Sequence, residues 1–366
     1  MSSRAGKRGA GGAEAIAKGS ALQLAGDYAG AVRAYESAIR VEPRRADLRH
    51  NLGSALRSAG RLEEAEAAFR KSLTLAPNEP RLRFAVGSAL LSLGHYAEGW
   101  PLYEARYDVP GLNVPKPGLP FPEWGGESVA GKTIAIFPEQ GLGDQIQFAR
   151  FVRTLRDRGA RVVLLCHPAL VRLFEASLDA EVFAGEGMVE FPDPDYWTTI
   201  TSLPAKLGVT LEELDGAPYL RWPGAPVAEG GRAPRIGLAW RGNPSHRNDA
   251  NRSLTPGAAD ALLSLPGEVV DLDPKLTGAK DFADTAALIG GLDLVIAVDT
   301  SVAHAAGALG KPCWVLLSAI DTDWRWLRER ADSPWYGSAR LYRQRRPGDW
   351  AGVIAEVRRD LERRFA

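Results

Sequence analysis

Cysteine is scarce in this chain: 366 residues contain two, Cys166 and Cys313. Both lie in apolar runs that read as strands, Val162 to Cys166 and Cys313 to Leu317, where a thiol behaves as a small hydrophobe. That placement argues against a disulfide framework. Charge of one sign is not in excess either. Lys plus Arg number 45 and Asp plus Glu 45, so no overall field is available to hold nucleic acid or an anionic membrane surface. No apolar run approaches the roughly 18 residues of a membrane-spanning helix, and the opening MSSRAGKRGAGG lacks the apolar stretch of a secretory signal. A Ser-His-Asp order, a zinc-ligand spacing and a Walker loop are all missing, which leaves hydrolase and phosphoryl-transfer chemistry without a motif. The expectation is a cytoplasmic protein with a disordered tail over 1–12, no nucleic-acid partner and no integral membrane contact.

What the sequence does have is an internal repeat. Gly19-Ser20-Ala21-Leu22 returns as Gly53-Ser54-Ala55-Leu56 and as Gly87-Ser88-Ala89-Leu90, a period of 34 residues. Gly26, Gly60 and Gly94 keep step, as do Tyr35, Phe69 and Tyr103, and Pro43 and Pro77 close the first two units. This is the tetratricopeptide pattern, in which the small residue lets helix A approach helix B and the aromatic of helix B fills the space between neighbours. Repeats are therefore expected over 13–108. Trp100 to Tyr107 read as an altered third unit, and three stacked units need a cap. Such arrays grip extended peptides, often through an asparagine two residues before the repeat glycine. Here that position holds Ala17, Asn51 and Ala85, so peptide capture and a spacer role both stay open.

Prolines and glycines between Val109 and Trp124 forbid regular structure, and a connector is expected over 109–130. Beyond it, Lys132 to Phe137 reads as a strand, Asp144 to Arg158 as a helix and Arg161 to Cys166 as a second strand. That is a βαβ unit and opens a first lobe over 131–220. Residues 221–234 (RWPGAPVAEGGRAP) read as a hinge. A second lobe over 235–366 follows, with strands at Arg235 to Trp240, Glu268 to Leu272, Leu292 to Val298 and Pro312 to Leu317. Its helices are expected at Thr255 to Leu265, Asp281 to Gly290 and Thr300 to Leu309, with a closing helix from Asp349 to Phe365 packed across the lobes. Two doubly wound α/β lobes place a cleft at the carboxyl ends of their strands.

Three stretches fall at such ends. In PEQGLGDQIQFAR, Gly141 and Gly143 allow a tight turn and Asp144 stands at a helix start, where an aspartate also serves as a cap. In VDTSVAH, a strand gives way to a helix whose free N–H groups suit an anion, aided by the hydroxyls of Thr300 and Ser301; His304 also fits as a core residue. In WRGNP and SHRNDANR, Arg241 or Arg252 can neutralise a diphosphate, although basic loops are also ordinary surface.

Together, PEQGLGDQIQFARFVRTLRDRGARVV, IGLAWRGNP with NRSL, and VDTSVAHAAGALGKPCWVLL with DWRWL and DSPWY resemble the bacterial tetratricopeptide-repeat glycosyltransferases. The catalytic part is similar to the ADP-heptose heptosyltransferases of lipopolysaccharide synthesis and, more distantly, to O-GlcNAc transferases. The resemblance runs from about residue 13 to the end. It implies a GT-B fold of two Rossmann-type lobes behind the helical repeats. It implies a nucleotide-sugar donor, a protein or peptide acceptor recruited by the repeats, and inverting transfer with neither cofactor nor metal. Asp144 takes the place of the catalytic base, with Gln140, Gly141, Gly143 and Gln145 forming the acceptor-side turn. Arg241, Asn243, Arg252, Asp299, Thr300, Ser301 and His304 take the donor and diphosphate side. One departure concerns Asp271-Leu272-Asp273, where relatives often carry Ser-Leu-Gln; the acidic pair leaves the nucleotide open. The D-x-D sequences at Asp193, Asp271 and Asp321 read as loop solvation, and Trp324, Trp326 and Trp335 as packing residues.

Overall fold

The computed structural model describes residues 2–222 and 233–365, and within 2–12 the backbone alone. Residues 223–232 of the expected hinge over 221–234 therefore lie outside the described residues. The chain divides into two compact units: Met1–Pro115 together with Ile320–Arg328, and Lys116–Ala319 together with Glu329–Ala366.

The first unit is a stack of helix pairs: α1 (Ser2–Leu24) with α2 (Tyr28–Val41), α3 (Ala46–Ser58) with α4 (Leu62–Leu75), and α5 (Pro80–Ser92) with α6 (Tyr96–Tyr103). The backbone of α1 runs from Ser2 through most of the stretch expected as a tail over 1–12. The repeat glycines do what the period implies. A Cβ on Gly19 would stand 2.3 Å from Tyr35 Cζ, and one on Gly53 2.6 Å from Phe69 Cε1. Close helix pairing lets Tyr35, Leu48, Phe69 and Val86 form one buried core. The third unit differs. Pro101 stands inside α6 with no N–H to give the carbonyl of Ala97, and beyond Tyr103 the chain tightens into a 3₁₀ turn over Glu104–Asp108.

At Gly87 the neighbour is backbone, not a ring: an added Cβ would fall 2.6 Å from the Tyr103 amide nitrogen. Gly87→Ala is therefore expected to cost about 1–3 kcal/mol in urea unfolding, and Gly53→Ala, which meets the Phe69 side chain and no backbone, less. Equal midpoints for the two variants would contradict this reading of the helix contact.

The repeat core also carries a titration. Burial, and then the positive Arg81, push His50 down to about 4, while its ring packs on Phe69 at 5.5 Å. The unfolded chain takes up this proton near 6.5, so the folded state loses stability as pH falls from 6.5 towards 4, by up to about 1.4 kcal/mol per unit. His50→Gln is expected to flatten the slope of unfolding midpoint against pH in that window; parallel slopes would count against it.

The second unit holds two all-parallel sheets. The first lobe has β1 (Thr133–Phe137), β2 (Arg161–Cys166), β3 (Glu181–Ala184) and β4 (Tyr196–Thr199) in the order β3-β2-β1-β4. Its helices are α7 (Leu142–Phe148), α8 (Phe151–Asp157), α9 (Val171–Ser177) and α10 (Leu203–Leu207). One helix was expected over Asp144 to Arg158; instead a 3₁₀ bond from Val152 N–H to Ala149 C=O separates α7 from α8. The connector is irregular up to Pro122, then joins the sheet edge, where Trp124 N–H donates to the Trp197 carbonyl at 2.8 Å.

The second lobe has β5 (Arg235–Ala239), β6 (Glu268–Asp271), β7 (Leu294–Val298), β8 (Cys313–Leu317) and β9 (Ala339–Arg343), ordered β6-β5-β7-β8-β9. Its helices are α11 (Asp249–Arg252), α12 (Pro256–Leu263), α13 (Pro274–Thr277), α14 (Phe282–Gly290), α15 (Ser301–Ala308) and α16 (Trp350–Phe365). The closing helix α16 places Trp350, Val353, Ile354, Val357 and Leu361 in the second lobe's own core. Both thiols are free, buried, and pushed up to about 12 by desolvation.

Each sheet reverses its order once, between β1 and β4 and between β5 and β7. In open α/β sheets the crevice beyond the carboxyl ends at such a reversal is where ligands bind. Those ends lead here into Pro138 to Asp144, Trp240 to Arg252, and Asp299 to His304.

Candidate functional site

The β1 end leads into a strained turn. Gln140, exposed, adopts φ +61°, a left-handed conformation that costs a non-glycine residue free energy and is concentrated at functional turns. Gly141 then caps α7, and the Asp144 carboxylate reaches back to accept the Gly141 N–H at 2.9 Å. Asp144 is therefore the third helical residue and not the cap itself, half exposed beside the positive end of α7. Gln145 departs from expectation. It is buried and accepts the His167 N–H at 2.9 Å, so it holds the end of β2. Sequence reasoning passed over Glu139, a buried carboxylate at the same strand end. Its position before Gln140 in PEQG was the available signal.

The β7 end leads into α15. Thr300 is its extended cap residue, and the first helical bonds go from Ala303 and His304 N–H back to the Thr300 carbonyl. Ser301 and Val302 thus precede the first bonded N–H, as at any helix start. Thr300 Oγ1 is buried with no hydrogen-bond partner among the described residues. Such an orphan oxygen is uncommon in a folded protein and marks a place to look for a ligand.

Arg252 ties the third loop to this helix start. Its Nη1 donates to the Asp299 carbonyl at 2.9 Å and its Nε to Asp249 Oδ1 at 3.1 Å, on the residue three before it. Gly242 passes so closely under the guanidinium that a Cβ would lie 2.6 Å from Arg252 Nη2. The arginine is thereby preorganised at the mouth of α15. Arg241 is committed elsewhere: it pairs with Asp273 and lies over the Trp240 ring at 4.7 Å. The Lys275 backbone N–H, and then Arg241, hold the Asp273 carboxyl below its ordinary range. Asp271 accepts from Trp240 Nε1 at 2.8 Å. Both carboxylates of the unusual acidic pair thus have intramolecular work. Asn243 is exposed and accepts from Ser245 N–H and Oγ, ordering the loop itself.

The two strand ends meet. A Cβ on Gly143 would stand 2.7 Å from His304 Cδ2, so α7 and α15 pack through a glycine and an imidazole. His304 is 2% exposed and its Nδ1 shares a 2.8 Å hydrogen bond with the Tyr336 hydroxyl. His304 thus stands one helical turn behind Thr300, about 6 Å along the axis, packed as a core residue. Asp144 follows Gly143 directly. The carboxylate of one lobe and the anion-receptive helix start of the other thus flank a single helix contact.

Further bonds fasten the lobes. Arg172 pairs with Asp281 at 2.7 Å and Asp284 at 3.1 Å, and the Tyr219 N–H donates to the Ala308 carbonyl at 3.0 Å, while the Tyr219 hydroxyl donates within the first lobe to the Ile146 carbonyl at 2.8 Å. Burial pushes the Tyr219 phenol up to about 12, keeping it a neutral donor. Trp335 stands edge-on to Phe148 and Phe151 and is fully buried, as is Trp326, in keeping with packing roles. Of the other two D-x-D pairs, Asp195 accepts the Thr133 N–H at 2.8 Å, and Asp323 caps the short turn Trp324–Trp326.

The family model and the solved structures match the first unit, and one curated relative aligns beyond it. Residues 16–80 match the model of a tetratricopeptide repeat, and the N-terminal region is a tetratricopeptide array, a protein-interaction scaffold. The chain is 28% identical over 311 residues to protein FlbA of Caulobacter vibrioides, an alignment covering 71% of this chain and 51% of that protein. It thus spans about half of that relative's length. Among solved structures, the TPR2B domain of yeast Sti1 in a pHsp70 complex is 25% identical, covering 27% of this chain and 82% of its own, with a TM-score of 0.26. The second TPR domain of human RPAP3, in complex with the HSP70 peptide SGPTIEEVD, is 22% identical, covering 28% and 88%, with a TM-score of 0.27. No described helix is long and apolar enough to cross a membrane.

Proposed function

We propose that this chain is a glycosyltransferase of GT-B type that moves a sugar from a nucleotide-sugar donor to a polypeptide recruited by its repeats. The observation that carries the reading is the contact of Gly143 with His304, which brings Asp144 and the start of α15 to one place. Two parallel-sheet lobes with their order reversals at these same ends support it.

The chemistry runs as a single displacement. The acceptor hydroxyl gives its proton to the Asp144 carboxylate as its oxygen bonds to the anomeric carbon. The bond from that carbon to the diphosphate breaks, and the nucleoside diphosphate leaves with the electron pair. Arg252 and the Ser301 and Val302 N–H groups meet the charge developing on it, with the Thr300 and Ser301 hydroxyls as further donors. One displacement inverts the anomeric centre.

The acceptor half of the proposal is tested by intact-mass comparison of proteins that co-purify with the chain from its native host and from a strain carrying Asp144→Asn. Sugar-sized mass increments present only with the unaltered chain are the expected result. Identical masses from both strains would leave the repeats as a scaffold without transfer.

A further inference from the structure

The cap that the third repeat needs comes from far along the chain. Ile320–Arg328, which connects β8 to β9, belongs to the helical unit. Trp324 is buried there against three aromatics of α6, with ring centroids 6.1 Å from Tyr96, 5.1 Å from Trp100 and 6.3 Å from Tyr103. Asp321 lies 3.7 Å from Arg57 at the end of α3. Both limbs of the segment are clamped to the second sheet. Ala319 N–H donates to Gln344 Oε1 at 3.2 Å, Gln344 N–H to the Leu317 carbonyl at 2.9 Å, and Leu341 N–H to the Ala331 carbonyl at 2.7 Å. Between the clamps the backbone is strained. Of five described non-glycine residues with positive φ, three are here: Asp321 at +46°, Leu327 at +53° and Glu329 at +58°. Residues held in this region persist only where their surroundings fix them.

We propose that Ile320–Arg328 is a coupling strap, pinned in the repeat by Trp324, through which the state of the third repeat sets the conformation at the carboxyl end of β8. Trp324 is a positioning residue. A polypeptide that disturbs α5 and α6 draws on the strap and shifts Leu317 to Ala319, and by reciprocity a change at β8 alters the repeat. Under the transferase reading this links acceptor capture to the donor lobe, but the coupling itself does not require that reading.

The test is hydrogen exchange of the full chain with and without Trp324→Ala. Exchange is expected to rise at least tenfold both in 84–103 and in 313–319 with 339–344, while amides of α2 and β1 keep their rates. Trp324→Phe, which preserves the ring contact, should restore both regions. A rise confined to 320–328 and the repeat, with β8 and β9 unchanged, would overturn the proposal. If the alanine variant unfolds as a whole, Trp324→Leu decides: a rise shared by both regions supports the strap, and a rise in one region alone or in neither refutes it. Failure of nucleotide binding would sink the transferase reading and leave this result standing.

Discussion

Asp144→Asn is expected to abolish sugar transfer, by about 10²- to 10⁴-fold or more, while leaving nucleotide affinity within a few-fold. Asparagine keeps an oxygen for the Gly141 N–H, which now bonds Asp144 Oδ2 at 2.9 Å, so the start of α7 stays intact. It cannot take a proton from an acceptor hydroxyl. The effect thus separates from folding, because the capping role survives and the basic role does not. Turnover of a sugar nucleotide and titration of its nucleoside diphosphate, on the same preparation, check both halves. Retained turnover would remove Asp144 from the chemistry, and lost nucleotide binding would reassign it to the donor side.

Arg252→Ala is expected to weaken nucleoside-diphosphate binding by about 10- to 100-fold, the range for a hydrogen bond to a charged group. The side chain is held from both sides, by Asp249 and by the Asp299 carbonyl, so its charge is presented without a large ordering cost. Lysine at 252 keeps the charge but loses the fork that satisfies both partners, and should fall between alanine and arginine. Arg241→Ala should have a much smaller effect, since Arg241 is paired with Asp273. A reversal of the two arginines would place the diphosphate nearer β6.

How much of this was legible in the sequence depends on how local each feature is. The 34-residue period is local, and the glycines at 19 and 53 face the very aromatics that the repeat sets opposite them. The buried strands were legible as apolar runs, and β2 begins and ends where its run does. Features that need distant partners were not. The sequence reading carried α7 and α8 as one helix, because both are apolar and the break at Ala149 shows no glycine or proline. It left out β9, a short edge strand whose partner β8 makes sense of it. It left His304 between a core residue and, by resemblance, a donor contact, because nothing near it in the chain announces Tyr336, 32 residues on. Arg252 was favoured over Arg241 by resemblance alone; Asp249, three residues earlier, was the local signal that its geometry is fixed. The cap of the third repeat was unreadable, because a tryptophan more than 200 residues downstream supplies it.

The central claim is that the start of α15 receives a nucleoside diphosphate beside Asp144. Calorimetric titration of the unaltered chain with UDP, ADP, GDP and CMP addresses it most directly. One of the diphosphates is predicted to bind at a single site per chain, with affinity lost on Arg252→Ala and kept on Asp144→Asn. Binding of none of the four, or binding indifferent to Arg252, would contradict it.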